Sequence, residues 1–213
     1  MHIAEGMLSG TPQGVAVLAG GAAVAAAGTL IALRKLDYER VPQVAMLSAA
    51  FFLVSLVQVP LAGVSVHLVL AGLVGLILGW EAFPAVLIAL VLQGVFASEG
   101  GPTTLGLNTA TMAVPAVVCY LLLHRAVRSG REPLAISAGF AAGFLGVMLA
   151  ATLVAAALVI AGREFAAVAR LVIVANLPLA AVEGLVTGSV VAFLRKVRPE
   201  LLDAPQLAPG QAL

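Results

Sequence analysis

Residues 133–161 read PLAISAGFAAGFLGVMLAATLVAAALVIA, a stretch without one charged side chain. About 20 apolar residues are enough for a helix to cross a bilayer, so this segment alone points to a membrane. Working outward, similar apolar runs fall at 14–33, 42–60, 61–79, 82–97, 103–123 and 165–194. The pattern predicts an all-α, polytopic integral membrane protein with seven transmembrane helices. Over its 213 residues the chain is 62% hydrophobic and 10% charged, with a mean hydropathy of +1.13. A soluble domain is about 45–50% apolar and about 25% charged, so there are too few charges here to clothe a surface facing water. A soluble enzyme and a large extramembrane domain are thereby excluded. The net charge of +1 excludes nucleic-acid binding built on bulk charge. The lone Cys119 rules out a disulfide framework or a redox pair.

The basic residues set an orientation. Loop 34–41 holds Arg34, Lys35 and Arg40, loop 124–132 holds Arg125, Arg128 and Arg131, and the tail holds Arg195, Lys196 and Arg198. Seven spans put these nine of the eleven basic residues on one side and leave Arg163 and Arg170 opposite. Basic loops stay cytoplasmic, so the C-terminus is expected inside the cell and the N-terminus outside, in the plasma (inner) membrane. The first basic residue, Arg34, follows the first apolar stretch rather than preceding it, unlike a cleavable signal peptide. Residues 1–194 form one expected transmembrane domain. Residues 195–213, with Pro199, Pro205 and Pro209, read as a flexible cytoplasmic tail.

Two features interrupt the apolar pattern. Ser98-Glu99-Gly100-Gly101-Pro102-Thr103-Thr104 is too rich in Gly and Pro for regular helix. Irregular polar backbone beside apolar spans is tolerated where protein buries it or where it lines a cavity. Residues 98–112 are therefore a candidate binding-site loop, with an ordinary extramembrane turn as the alternative. Small residues recur at helical spacing, as in Gly75/Gly79, Gly139/Gly143 and Gly184/Gly188. Such faces let helices approach closely, either within the bundle or against another membrane subunit.

Few side chains are left to carry chemistry. His67 sits near the start of an apolar run, where an ionisable group is costly and usually faces a polar interior or a ligand, although a neighbouring carbonyl could satisfy it. His2 matters because of its position. A bulky second residue blocks removal of the initiator Met, so Met1 is expected to keep a free α-amine. The Met1 amine, the His2 backbone amide and His2 Nδ1 would then close fused five- and six-membered chelate rings around one metal. An imidazole such as His67 would complete a square, a nitrogen geometry that suits Ni(II) or Cu(II) and that low-spin Co(II) accepts. Gln93 and Asn108 flank the glycine loop, while Asn176, Glu183 and Thr187 share one face of the last helix. Such polar groups can fix the orientation of metal donors. Glu183 could balance a metal site or brace helices. Motifs for nucleotide binding, metalloprotease chemistry or a nucleophile elbow are absent from the sequence.

Four separated stretches, in order, resemble one family. Met1-His2-Ile3-Ala4-Glu5-Gly6-Met7-Leu8-Ser9 is similar to the opening of the CbiM/NikM family, the substrate-capture components of energy-coupling factor transporters for cobalt and nickel. Ser65-Val66-His67 resembles its S-x-H stretch. Residues 99–109, EGGPTTLGLNT, resemble its glycine loop, and residues 178–188, PLAAVEGLVTG, its final helix. The resemblance implies a metal held by the Met1 amine, the amide and ring of His2, and His67; Ser65, Gln93, Asn108, Asn176 and Glu183 are the polar residues expected to surround it. Two departures stand out: Pro102 replaces an aliphatic residue of the loop, and Asn176 stands where many relatives carry His.

The resemblance further implies a non-enzymatic importer of Co(II) or Ni(II), carried as substrate, with no bound organic cofactor. Its expected partners are a transmembrane coupling component, paired ABC-type ATPases and a small accessory membrane subunit, with the metal serving cobalamin biosynthesis or nickel enzymes. The alternative is a proton-coupled secondary transporter of a metal ion or small solute working through Glu183 and His67.

Overall fold

The computed structural model describes the backbone of residues 2–56, 58–61 and 64–202, and the side chains of 3–56 and 67–202. Seven α-helices dominate it: α1 (Pro12–Lys35), α2 (Val41–Ser55), α3 (Ala71–Leu78), α4 (Ala82–Phe96), α5 (Leu105–Val127), α6 (Glu132–Ala161) and α7 (Ala166–Val197). Three short strands accompany them: β1 (His2–Ile3), β2 (Gln58–Leu61) and β3 (Val64–His67). Among the described residues, five stretches are long and apolar enough to cross a membrane: Pro12–Lys35, Ala71–Phe96, Leu105–Val127, Glu132–Ala161 and Arg163–Val197.

Local chemistry sets the helix ends. Thr11 caps α1 by accepting the Gly14 amide at 3.0 Å, with Pro12 in the first turn. Thr11 Oγ1 also donates to the Ala161 carbonyl at the end of α6 (3.1 Å). The chain start, the loop after α4 and the α6–α7 connection therefore share one end of the bundle. At the other end Arg195 Nη1 donates to Val127 O at 2.6 Å, and Lys196 lies 3.8 Å from Glu132. Arg40 pairs there with Glu81 at 3.0 Å and caps the Ile77 carbonyl at 2.8 Å. Glu81 lies in a 3-10 turn (Gly79–Glu81) opened by Gly79 at a left-handed φ of 58°. A side chain would be strained in that conformation, which lets the chain change direction between α3 and α4.

The expected helices over 42–60 and 61–79 need correction. Helix α2 stops at Ser55, and the chain continues as the antiparallel strands β2 and β3 before α3 begins at Ala71. Val59, Val64 and Val66 favour extended backbone, and Pro60 tolerates only an edge strand. The sheet order is β1-β3-β2, which leaves Pro60 on an edge.

The glycine spacings resolve as internal packing. A Cβ on Gly143 of α6 would run into the Glu183 carbonyl of α7, one on Gly139 would press on Val191, and one on Gly184 would meet Phe140. The α6–α7 seam is thus a close backbone approach of the kind that small residues permit. Gly75 of α3 packs in the same way on the backbone of Ala116 in α5. Helical order reaches Leu202, which is buried in a last 3-10 turn (Pro199–Leu202). The part of the expected flexible tail from 203 onward lies outside the described residues.

Candidate metal centre

The site is assembled from the chain start upward. Strand β1 pairs antiparallel with β3, with His2 across from Ser65 and Ile3 across from Val64. His67 is two positions further along β3, in the direction in which β1 runs back toward residue 1. The diagonal neighbour in an antiparallel pair lies about 7–8 Å away, so the backbone of His2 is brought to the neighbourhood of His67. Met1 and the His2 and Ser65 side chains lie outside the described residues. Among the described residues, no group of three or more His, Cys, Asp or Glu could hold a metal ion.

On its other edge, β1 is held by a side chain that imitates a strand. Asn108, in the first turn of α5, accepts the Ile3 amide through Oδ1 at 2.8 Å and donates from Nδ2 to the Ile3 carbonyl at 3.0 Å. One carboxamide therefore satisfies both polar groups of one peptide position, as a neighbouring strand would. Buried backbone groups must find such partners, and Ile3 is fully buried. Gly100 lies beside the Asn108 amide at a left-handed φ of 70°, a conformation that residues with a side chain rarely adopt. Thr103, from the same loop, donates from Oγ1 to Glu5 at 2.5 Å and from its amide to Glu5 at 3.2 Å. A Cβ on Gly101 would collide with the Glu5 carboxylate. Leu8 is buried as a second apolar anchor. Residues 98–108 thus act as a cradle for the N-terminal segment, and Glu5 is a member that sequence reasoning missed. Its place in the opening motif was the available signal.

His67 is buried, with Nδ1 2.8 Å from the Leu68 carbonyl. A donated Nδ1–H fixes the tautomer that carries its lone pair on Nε2, the usual arrangement for a metal-binding imidazole. Just beyond it the backbone turns sharply. Leu70 has φ 50° and ψ 21°, a left-handed conformation that costs a side-chain-bearing residue about 1–2 kcal/mol. Glu183, fully buried on α7, accepts the amides of both Val69 and Leu70 through Oε1, the latter at 2.9 Å. Two such hydrogen bonds, at about 0.5–1.5 kcal/mol each, are of the size needed to offset that cost. Glu183 Oε2 has no hydrogen-bond partner among the described residues.

The remaining expected residues are more dispersed. Gln93 of α4 is buried and donates from Nε2 to Ser55 Oγ, at the point where α2 gives way to the strands. It anchors the end of α2, from which the chain runs on into the strands that lead to His67. Asn176 is fully buried and donates from Nδ2 to Val172 O, one turn earlier on α7, at 2.7 Å. Thr187, one turn beyond Glu183, faces Gly143 at the α6–α7 seam. The pairing of the half-exposed Arg40 with the buried Glu81 was not foreseen either, although both residues flank predicted spans.

These features define a class: a multi-pass membrane protein whose N-terminal segment is threaded into the bundle beside a buried histidine. Residues 2–201 match the family described as cobalt uptake substrate-specific transmembrane region, CbiM, and the chain belongs to that family. It is 35% identical over 228 residues to the cobalt transport protein CbiM of Sorangium cellulosum, covering 99% of both chains. It is also 32% identical to the fused nickel transport protein NikMN of Rhodobacter capsulatus, covering 99% of this chain and 66% of that protein. A crystal structure described as a transition metal transporter shares its fold with a TM-score of 0.71 and 27% identity, covering 92% of this chain and 93% of the other. The chain is a cobalt/nickel transport membrane component of the CbiM family and not an enzyme.

Proposed function

We propose that this chain captures Co(II) or Ni(II) at the outer face of the plasma membrane, as the substrate-binding component of an ATP-driven energy-coupling factor importer. The metal is held in a square of nitrogens: the Met1 amine, the His2 amide, His2 Nδ1 and the ring of His67. The observation that carries this reading is the register of β1 on β3, with the Ile3 peptide gripped from the other side by Asn108. That grip makes geometric sense for a segment whose backbone is itself a ligand. Parting the Ala71–Phe96 stretch at the Gly79–Glu81 turn, so that β3 with α3 makes one crossing and α4 another, and adding α2 with β2, brings the count with α1, α5, α6 and α7 to seven spans. Arg40 and Arg195, both engaged at the same end of the bundle, mark its cytoplasmic side.

The chain has no nucleotide-binding motif, so hydrolysis falls to paired ABC-type ATPases acting through a transmembrane coupling component, with a small accessory membrane subunit. The rival, a proton-coupled carrier using Glu183, is disfavoured because that carboxylate already holds two backbone amides.

Radiolabelled Co(II) and Ni(II) uptake in cells separates the two. Uptake that needs the ATPases and survives collapse of the proton gradient supports the proposal. Uptake by this chain alone, abolished by a protonophore, would refute it.

A further inference from the structure

We propose that Glu183 is a positioning residue for the metal site, holding the turn after His67 so that the imidazole meets the donors of the N-terminal segment. The inference rests on the reading of His67 as a ligand and extends it to α7.

The route is short and continuous. His67 ends β3, its Nδ1 lies against the Leu68 carbonyl, and the next two amides, of Val69 and Leu70, both point at Glu183 Oε1. Leu70 is left-handed, and its carbonyl accepts the Val74 amide at 2.9 Å in the first turn of α3. The direction in which His67 leaves the strand is therefore fixed by a conformation that leucine adopts only under constraint. Glu183 supplies that constraint.

The carboxylate is itself anchored where three helices converge. The Glu183 carbonyl fills the space a Cβ on Gly143 of α6 would need, and the backbone of Ala142 and Gly143 fills the space beside Gly72 of α3. Backbones of α3, α6 and α7 thus meet at one level, and Glu183 links that junction to the turn. A displacement of α7 against α6 moves the acceptor of both amides, and His67 with them. In this geometry the last helix is tied to the donor set rather than only packed beside it.

The test uses the full chain with its native N-terminus, purified in detergent, and Ni(II) alone as the probe. The readouts are affinity by calorimetry and the visible absorption and circular dichroism of the bound ion. Glu183→Ala is expected to weaken Ni(II) binding about tenfold or more, the range for residues that orient metal donors, and to shift the d–d bands of the metal that still binds. Glu183→Gln keeps an oxygen that accepts both amides and is expected to stay within about threefold of the native protein with the native spectrum. Leu70→Gly, which removes the strain of the left-handed turn, is expected to restore part of the affinity lost in Glu183→Ala. A brace between helices would lower the folded fraction but leave the spectrum per bound ion unchanged.

If Glu183→Ala does not fold, Glu183→Asp serves. It keeps the charge but is too short to reach both amides, so the same band shift and loss of affinity are expected. Native affinity and spectrum in a folded Ala or Asp variant would overturn the inference. His67→Ala is the control: if it too binds like the native chain, the donor assignment is at fault. If it loses binding while Glu183 variants do not, only the positioning role fails.

Discussion

The α6–α7 seam and the strand-bearing end of the bundle both bring backbones into close approach, but by opposite means. At the seam, Gly139, Gly143 and Gly184 let two helices touch, and every contact is internal to the fold. At the other region the chain gives up helix altogether. Residues 2–3, 58–61 and 64–67 become strands, and side-chain amides and carboxylates from three helices hold the resulting segment in place: Asn108 on Ile3, Gln93 on Ser55 and Glu183 on Val69 and Leu70. The first region is a scaffold. The second is a mount, which on the proposed function aims backbone nitrogen rather than merely satisfying it. Substitutions should therefore separate the two, one set acting on the fold and the other on binding.

The largest effect is expected at the seam. Gly143→Leu forces a branched side chain into the Glu183 carbonyl, and overpacking at a backbone contact should cost about 3 kcal/mol or more. Loss of the monodisperse peak in detergent and a collapse of the thermal transition would be the signature. A stable, metal-binding Gly143→Leu protein would break the comparison, since the seam would then be no scaffold.

Asn108→Ala comes next and should act in the reverse sense. It strands the amide and carbonyl of Ile3 without partners, a penalty of about 1–3 kcal/mol. Because the segment it releases carries the proposed donors, affinity should fall about 10- to 100-fold while helix content by far-ultraviolet circular dichroism stays native. Asn108→Asp keeps the acceptor and loses the donor, so calorimetry should place it between the two. The smallest effect is expected for Glu5→Ala. Its bonds to Thr103 lie at the exposed rim, where such contacts contribute about 1 kcal/mol or less. Affinity should change by less than about fivefold, and a loss as large as that of Asn108→Ala would make Glu5 part of the mount rather than its outer latch.

The scaffold was largely legible in the sequence. Long uncharged runs and glycines at helical spacing are periodic or compositional signals, and α1, α5, α6 and α7 follow them closely. The mount was legible only in part. His67, Asn108 and Glu183 stood out because polar residues in apolar surroundings are costly. The strands over 58–67 did not stand out, because a short apolar run has the same composition whether it is helix or strand. Pro60 and Gly63 were the available hints. Nor could any pattern announce that Leu70 is left-handed. Its amide is bonded to Glu183, more than a hundred residues away, and a long-range partner leaves no local trace. Glu5 was visible only as one letter of a motif. Its role depends on where the 98–104 loop ends up.

The most direct test of the account adds a single residue ahead of Met1, with mass spectrometry confirming that it is retained. The extension turns the amine into a peptide nitrogen and breaks the sequence of chelate rings, while Asn108 and Ile3 are untouched. Titration of Ni(II) or Co(II) should then show high-affinity binding abolished in a protein whose thermal transition is native. In the unextended chain, affinity should fall as the pH drops through about 8 to 6.5, where the amine and imidazole take up protons. An extended protein that binds as tightly as the native chain would contradict the square of nitrogens and leave the threaded N-terminus as structure alone.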